Sequence, residues 1–176
     1  MNRQELLPHL GVSGLGIEIG VQSGDYARMM LEVTDLHLIL LDSWRKLEDY
    51  PDMSNVPTEN NLWLMNNTLK TLMPYEGRFT IMRELSEVAV AWFKDELFDF
   101  VYLDANHSEV FVSKDLAMWW PKVKTGGIMA GHDYLNLKNE INDFGVKTAV
   151  DRFFKDKNIT VKSVDDPFPT WYIIKP

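Results

Sequence analysis

The chain has 176 residues, 45% hydrophobic and 25% charged, which suits one folded domain over 1–176 and excludes a disordered chain. Its net charge of −8, with the densest basic run (147–157) interleaved with Asp151 and Asp156, argues against a nucleic-acid partner, because phosphate neutralisation supplies most non-specific affinity. The lack of cysteine excludes disulfides, thiolate metal sites and cysteine nucleophiles, and no apolar run suits a signal peptide or membrane span, so a cytoplasmic protein is expected.

Apolar runs alternate with helical patterns along the chain, which predicts an α/β fold with a single Rossmann-like doubly wound sheet. The predicted strands are 15–19, 36–41, 79–83, 98–103 and 127–130, with helices near 26–33, 58–73, 86–94, 109–120 and 146–157. At the end of the chain, 159–164, a turn at Asp165-Asp166-Pro167 and then 170–174 read as an antiparallel hairpin. The sheet should therefore be mostly parallel, with a reversed strand near one edge. The polar segment 43–57 (Trp44, Asp49, Tyr50, Pro51, Asp52, Pro57) is long for a connection, as functional lids are.

The first strand runs through Glu18 into Gly20, Val21, Gln22, Ser23, Gly24 and Asp25, then a helix bearing Tyr26, Met29, Met30 and Val33. A strand–glycine–helix unit brings backbone N–H groups close to a small ligand. Glu18 before the turn and Asp25 after it would repel a pyrophosphate, yet suit a ligand carrying a sulfonium and an ammonium. A branched side chain at Gly20 is expected to occupy ligand space.

Ligands of such sheets bind where strands end, and an acidic or polar residue stands at each end here. Asp42, followed by Ser43 and Trp44, suits both ribose hydroxyls of a nucleoside, or else caps the turn after it. Trp44 would pack on an adenine face or belong to the core or lid. Ser86 would bond an adenine edge or cap its helix. Asp104 and His107 follow the fourth strand, and His132 and Asp133 the fifth. These four suit a divalent metal or a general base; the alternative is that His107 caps its helix and His132 is a turn residue. His9 and His37 lack such company and read as structural.

The glycine turn, Asp42, the run 98–108 with Asp104 and His107, the run 119–134 ending Gly131-His132-Asp133-Tyr134, and the closing 168–172 together resemble class I S-adenosylmethionine-dependent methyltransferases. The closest subgroup is the small bacterial enzymes similar to macrocin O-methyltransferase and catechol-type O-methyltransferases. The resemblance implies that Glu18, Gly20 and Gly24, with Val21 and Gln22, shape the methionine-binding turn. It also implies that Asp42 holds the ribose and that Ser86 lies near adenine; Ser43, Trp44 and Asp104 are expected to complete the cofactor-binding residues. Asp104 and Asp133 match the magnesium-binding places of metal-dependent relatives; His132, at the same neighbouring strand ends, is expected from its position to converge on that point as a third ligand.

Two departures stand out. Gln22 occupies a place where many class I enzymes carry a third glycine, and His132 one where several metal-dependent relatives carry a carboxylate. The chain also lacks the extra N-terminal helices that cover substrate in larger relatives, leaving an acceptor site that is open or completed by a second subunit in a homodimer. The implied activity is methyl transfer to oxygen of a small hydroxylated acceptor, a sugar or phenol, with recognition in 43–57 and 134–144. The alternatives are a nicotinamide-dependent oxidoreductase, disfavoured by the missing Gly-x-Gly-x-x-Gly, and a non-catalytic nucleoside-binding or scaffold protein.

Overall fold

The computed structural model describes residues 1–48 and 50–176; Asp49, expected within the polar lid segment, lies outside the described residues. In chain order the elements are α1 (Arg3–Leu10), β1 (Ser13–Ile19), α2 (Asp25–Val33), β2 (Asp35–Asp42), α3 (Thr58–Leu72), β3 (Phe79–Arg83), α4 (Ser86–Ala89) and β4 (Phe98–Leu103). There follow α5 (Glu109–Trp119), β5 (Val123–Gly131), a small hairpin of β6 (Asn136–Lys138) and β7 (Asp143–Gly145), α6 (Val146–Lys155), β8 (Lys162–Ser163) and β9 (Trp171–Ile174).

Seven strands form one sheet in the order β3-β2-β1-β4-β5-β9-β8. The pairs among β1 to β5 are parallel, whereas β9 runs antiparallel to both β5 and β8. This is the expected doubly wound sheet with its reversed C-terminal strand. Side chains alternate across it, as a strand period of two requires. Leu36, Leu38 and Leu40 of β2 pack with Leu6 and Leu7 of α1 and Ala27, Met30 and Leu31 of α2. On the other face, Ile17 and Ile19 of β1 pack with Leu116 and Trp119 of α5 and Val150 and Phe154 of α6.

Strand order reverses beside β1, whose Ile19 is paired with Leu41 on one side and Leu103 on the other. Beyond that level, the Gly20 N–H donates to the Leu41 carbonyl at 2.9 Å and the Asp104 N–H to the Ile19 carbonyl at 2.8 Å. Gly20 has φ +89°, and a Cβ there would lie 2.0 Å from the Asp104 carbonyl oxygen. The expectation for Gly20 is thereby corrected: what needs its bare Cα is the backbone of the neighbouring strand end. Gln22 also takes positive φ, 53°, so the place where a third glycine was expected keeps a glycine-like backbone.

Three local differences from the sequence reading have simple causes. The N-terminal helix α1 is short and contains Pro8, so it shows little periodicity. Its signals are an Asn2–Glu5 capping box and a left-handed Gly11 at its end. The helix predicted over 86–94 is α-helical only through Ala89 and continues as a tighter 3₁₀ turn, Val90–Trp92. The hairpin β6–β7 forms inside the expected recognition segment 134–144 and is too short to show a strand pattern.

Gly20→Val is expected to lower folding stability by about 3 kcal/mol or more, since overpacking and a disfavoured φ act together. Urea unfolding checks this; a wild-type midpoint would show that the strand crossing admits a side chain.

Candidate functional site

A cavity of about 470 Å³ opens at the carboxyl ends of β1, β2, β3 and β4. Of the expected cofactor residues, Glu18, Gly20, Val21, Gln22, Asp42, Ser43, Ser86 and Asp104 line it. Gly24 and Trp44 do not. A Cβ at Gly24 would meet Thr68 Cγ2 of α3 at 2.8 Å, so that glycine serves the packing of α3 near the start of α2. Trp44 is fully buried and donates through Nε1 to the Gln22 carbonyl at 2.9 Å, which makes it a core residue with no face for adenine.

Asp42 joins the two turns flanking the cavity. Its Oδ2 accepts the N–H groups of Val21 and Gln22 at 2.9 Å each, and its Oδ1 accepts the Trp44 N–H at 2.7 Å. A carboxylate offers about four acceptor sites, so the backbone leaves room for one ribose hydroxyl rather than the expected two. Ser86 does not cap its helix. It accepts from Trp119 Nε1 at 2.7 Å and donates to Asp115 Oδ1 at 2.5 Å. Asp115 was absent from the sequence reading because it sits mid-helix in α5. It lines the cavity, and burial pushes its carboxyl up to about 6.

Glu18 is 1% exposed, and its Oε2 has no hydrogen-bond partner. Burial first, and then the nearby Asp104 charge, holds its carboxyl well above the usual range, while Arg3 opposes the shift. Arg3, brought in by α1, was also missed. Its Nη2 donates to Asp104 Oδ2 at 3.1 Å, and its guanidinium lies 3.6 Å from the centroid of the Tyr26 ring.

Next to this cavity, four expected residues converge. His107 Nε2 lies 3.3 Å from Asp104 Oδ1 and 3.1 Å from Asp133 Oδ2. His132 Nδ1 is farther off, at 3.4 Å from Asp133 Oδ2 and 3.8 Å from Asp104 Oδ1. Asp104, His107 and Asp133 each offer a ligand atom, all within 4.8 Å of one another. Of the expected metal residues, Asp104 and Asp133 belong to this group together with His107, and His132 lies outside it. Adjacent ligands of an octahedral ion with bonds near 2.1 Å stand about 3.0 Å apart, so these spacings suit an ion between them.

The segment 43–57 reaches this cluster, as its sequence suggested for a lid. Asp52 Oδ2 lies 2.8 Å from His107 Nδ1, and the Tyr50 hydroxyl donates to the same oxygen at 2.7 Å. Asp52 Oδ1 accepts from both the N–H and the hydroxyl of Ser54. From the other side the Phe144 ring of β7 packs on His107, centroids 4.5 Å apart. Burial of His107 would lower its pKa, but its hydrogen bonds to Asp104 and Asp52 outweigh this and raise it to about 10. As an imidazolium it has no lone pair for a proton. Asp133 holds φ +51°, uncommon for a residue with a side chain and typical of strained functional positions.

A reversed-order sheet, a nucleoside-sized cavity at its switch point and carboxylates at the strand ends define the class I methyltransferase architecture. Residues 17–134 match the family model described as a methyltransferase domain, and the chain belongs to that family. It is an S-adenosylmethionine-dependent methyltransferase. No curated protein matches the sequence. Among solved structures, the chain is similar to a candidate rRNA methylase from Clostridium thermocellum, with 14% identity, TM-score 0.69 and coverage of 98% of this chain and 95% of the other. A candidate caffeoyl-CoA O-methyltransferase from Staphylococcus aureus gives 14% identity, TM-score 0.69, and coverage of 97% and 80%. The O-methyltransferase NovP gives 16% identity, TM-score 0.69, and coverage of 98% and 79%. These likenesses support the fold, and the family sets aside the nicotinamide-dependent oxidoreductase. Among the described residues, no helix is long and apolar enough to cross a membrane.

The buried Asp115 carboxyl yields a pH signature. Its folded pKa, about 6, lies above the ordinary aspartate value of 3.8, so the folded state keeps its proton longer than the unfolded state. That contribution to stability is complete below 3.8 and is lost as pH rises through 6. Asp115→Asn, which carries no such charge, should therefore gain stability relative to wild type between pH 4 and 7, up to about 3 kcal/mol. Parallel pH profiles in thermal unfolding would refute the buried-carboxyl assignment.

Proposed function

We propose that this methyltransferase, acting as a single domain over 1–176, methylates an oxygen of a small hydroxylated acceptor such as a sugar or phenol. The convergence of Asp104, His107 and Asp133 beside the cofactor cavity carries this reading. S-adenosylmethionine supplies a methyl group on a sulfonium that the acceptor oxygen displaces. The chain's task is then to hold the cofactor and place the acceptor in line, which is where most of the acceleration in such a displacement arises.

The cavity fits that cofactor on its own chemistry. Glu18 offers a buried, unpartnered oxygen that a positive group would satisfy. Asp42 retains capacity for a ribose hydroxyl, and Asp115 with Ser86 offers polar atoms to a purine edge. Two carboxylates and an imidazole suit a divalent ion, with manganese, iron or zinc as acceptable as magnesium. Such an ion would supply Lewis acidity toward the acceptor oxygen. Asp104, His107 and Asp133 would hold it, with His107 steered by Asp52 through its other ring nitrogen, while His132 at the margin would receive the acceptor's proton.

Phe144, Tyr50 and Asp52 belong to the segments 134–144 and 43–57 and enclose the cluster, which favours a small acceptor recognised by these segments. A net charge of −8 and the acidic cavity argue against nucleic acid. The oxygen specificity printed for NovP and the Staphylococcus aureus protein supports transfer to oxygen.

Calorimetry with S-adenosylhomocysteine tests the core of this reading. The wild type should bind it, and Asp42→Ala should weaken binding by about 1–3 kcal/mol. Because Asp42 also ties two turns together, its melting temperature must be followed alongside. Absence of binding by the wild type would return the chain to the non-catalytic reading.

Mn²⁺ titration separates the two histidines. Asp104→Asn, Asp133→Asn and His107→Ala should each weaken Mn²⁺ binding, His132→Ala should not, and wild-type affinity should rise with pH, because the ion must displace the proton that His107 carries. Loss in His132→Ala with retention in His107→Ala would reverse their assigned roles. Once an acceptor is found, full activity in EDTA would remove the ion from the reaction.

A further inference from the structure

We propose that Arg3 reads the carboxylate of the cofactor's amino-acid tail while Glu18 takes its ammonium, so that together they form a matched pair for a zwitterion. This rests on the reading of the cavity as the S-adenosylmethionine site. Arg3 lies outside residues 17–134, the part of the chain that the family match covers.

The side chain is held in place rather than draped over the surface. The capping box of Asn2 and Glu5 fixes the start of α1, and the Arg3 N–H donates to Asp166 Oδ2 at 2.8 Å, tying that start to the C-terminal turn. The guanidinium then lies on Tyr26, with the Tyr102 ring 5.3 Å away. A guanidinium held over a ring keeps N–H groups at its edge for planar recognition of a carboxylate. Its hydrogen bonding is incomplete: Nη2 meets Asp104 Oδ2, whereas Nε is buried without a partner. Five N–H donors on the group leave capacity for a second acceptor.

Glu18 is the complementary half. It is 1% exposed with Oε2 unpartnered, and it lines the same cavity as Arg3. A buried carboxylate without a partner is costly unless a ligand completes it. A ligand with only an ammonium would satisfy Glu18 and be repelled by Arg3. A ligand with only a carboxylate would meet the reverse. An α-amino acid carries both groups on one carbon and answers both residues at once. Asp42 and Ser86 line the cavity as its nucleoside end, which leaves this pair for the amino-acid end.

S-adenosylmethionine and its decarboxylated form differ only in the carboxylate in question, and calorimetry with both tests the assignment. The wild type should bind S-adenosylmethionine about 10- to 100-fold more tightly than the decarboxylated form, the range expected for hydrogen bonds between charged groups. Arg3→Met should bring that ratio to within about twofold, and Arg3→Lys should keep part of it. 5′-Methylthioadenosine, which lacks the tail, should bind wild type and Arg3→Met alike. An unchanged ratio in Arg3→Met, or no preference in the wild type, overturns the proposal. So does a parallel loss of all three ligands in Arg3→Met, which would make Arg3 a structural residue. Failure of the wild type to bind any of the three would instead overturn the cofactor reading itself, and this assignment with it.

Discussion

The approach of Gly20 to the carbonyl of Asp104 is the constraint on which the rest of this structure depends. A Cβ at Gly20 would overlap that oxygen, so only a bare Cα lets the chain leaving β1 cross the end of β4 at this distance. The crossing is fixed on both sides, by the Gly20 N–H on the Leu41 carbonyl and the Asp104 N–H on the Ile19 carbonyl. The ends of β2, β1 and β4 therefore finish level. Asp42, Glu18 and Asp104, remote in sequence, come to line one cavity as a result.

Gathering so many carboxylates in a half-enclosed space is costly, and each is settled in a different way. Asp42 is spread over three backbone N–H groups. Asp104 is flanked by Arg3, His107 and His132, which together hold its carboxyl low against the opposing effect of burial. Asp115 keeps its proton longer and shares a hydrogen bond with Ser86. Glu18 is the exception, buried with one oxygen unanswered. Nearly all buried polar atoms in folded proteins are paired, so this oxygen has capacity for a positive group. The slot between Asp104 and Asp133 obeys the same logic. It is a place for positive charge, filled here by the His107 ring.

The segments that close over this chemistry are those least regular in sequence. Tyr50 and Asp52 come from the connection between β2 and α3, and Phe144 from the short hairpin after β5. Both reach His107, so two irregular segments set the orientation of that ring. Loops carried on a rigid sheet can vary in this way without disturbing the cofactor end.

The parallel strands, the reversed C-terminal strand and most helices were legible in the sequence, because a strand buried on both faces is a continuous apolar run and its end is marked by polarity. Glu18, Asp42, Asp104, His107, His132 and Asp133 were legible for the same reason: each stands at or shortly after the end of such a run. Tertiary structure alone placed Trp44 in the core, turned Gly24 toward α3, and gave His107 rather than His132 the position between two carboxylates. It also brought in Arg3, Asp52 and Asp115, from a capped helix, an irregular loop and the middle of α5. Their roles depend on which neighbours they meet across 101, 55 and 29 residues of chain. Local sequence encodes the period and punctuation of each element, whereas these partnerships arise only when the sheet's crossing order folds distant segments onto one edge.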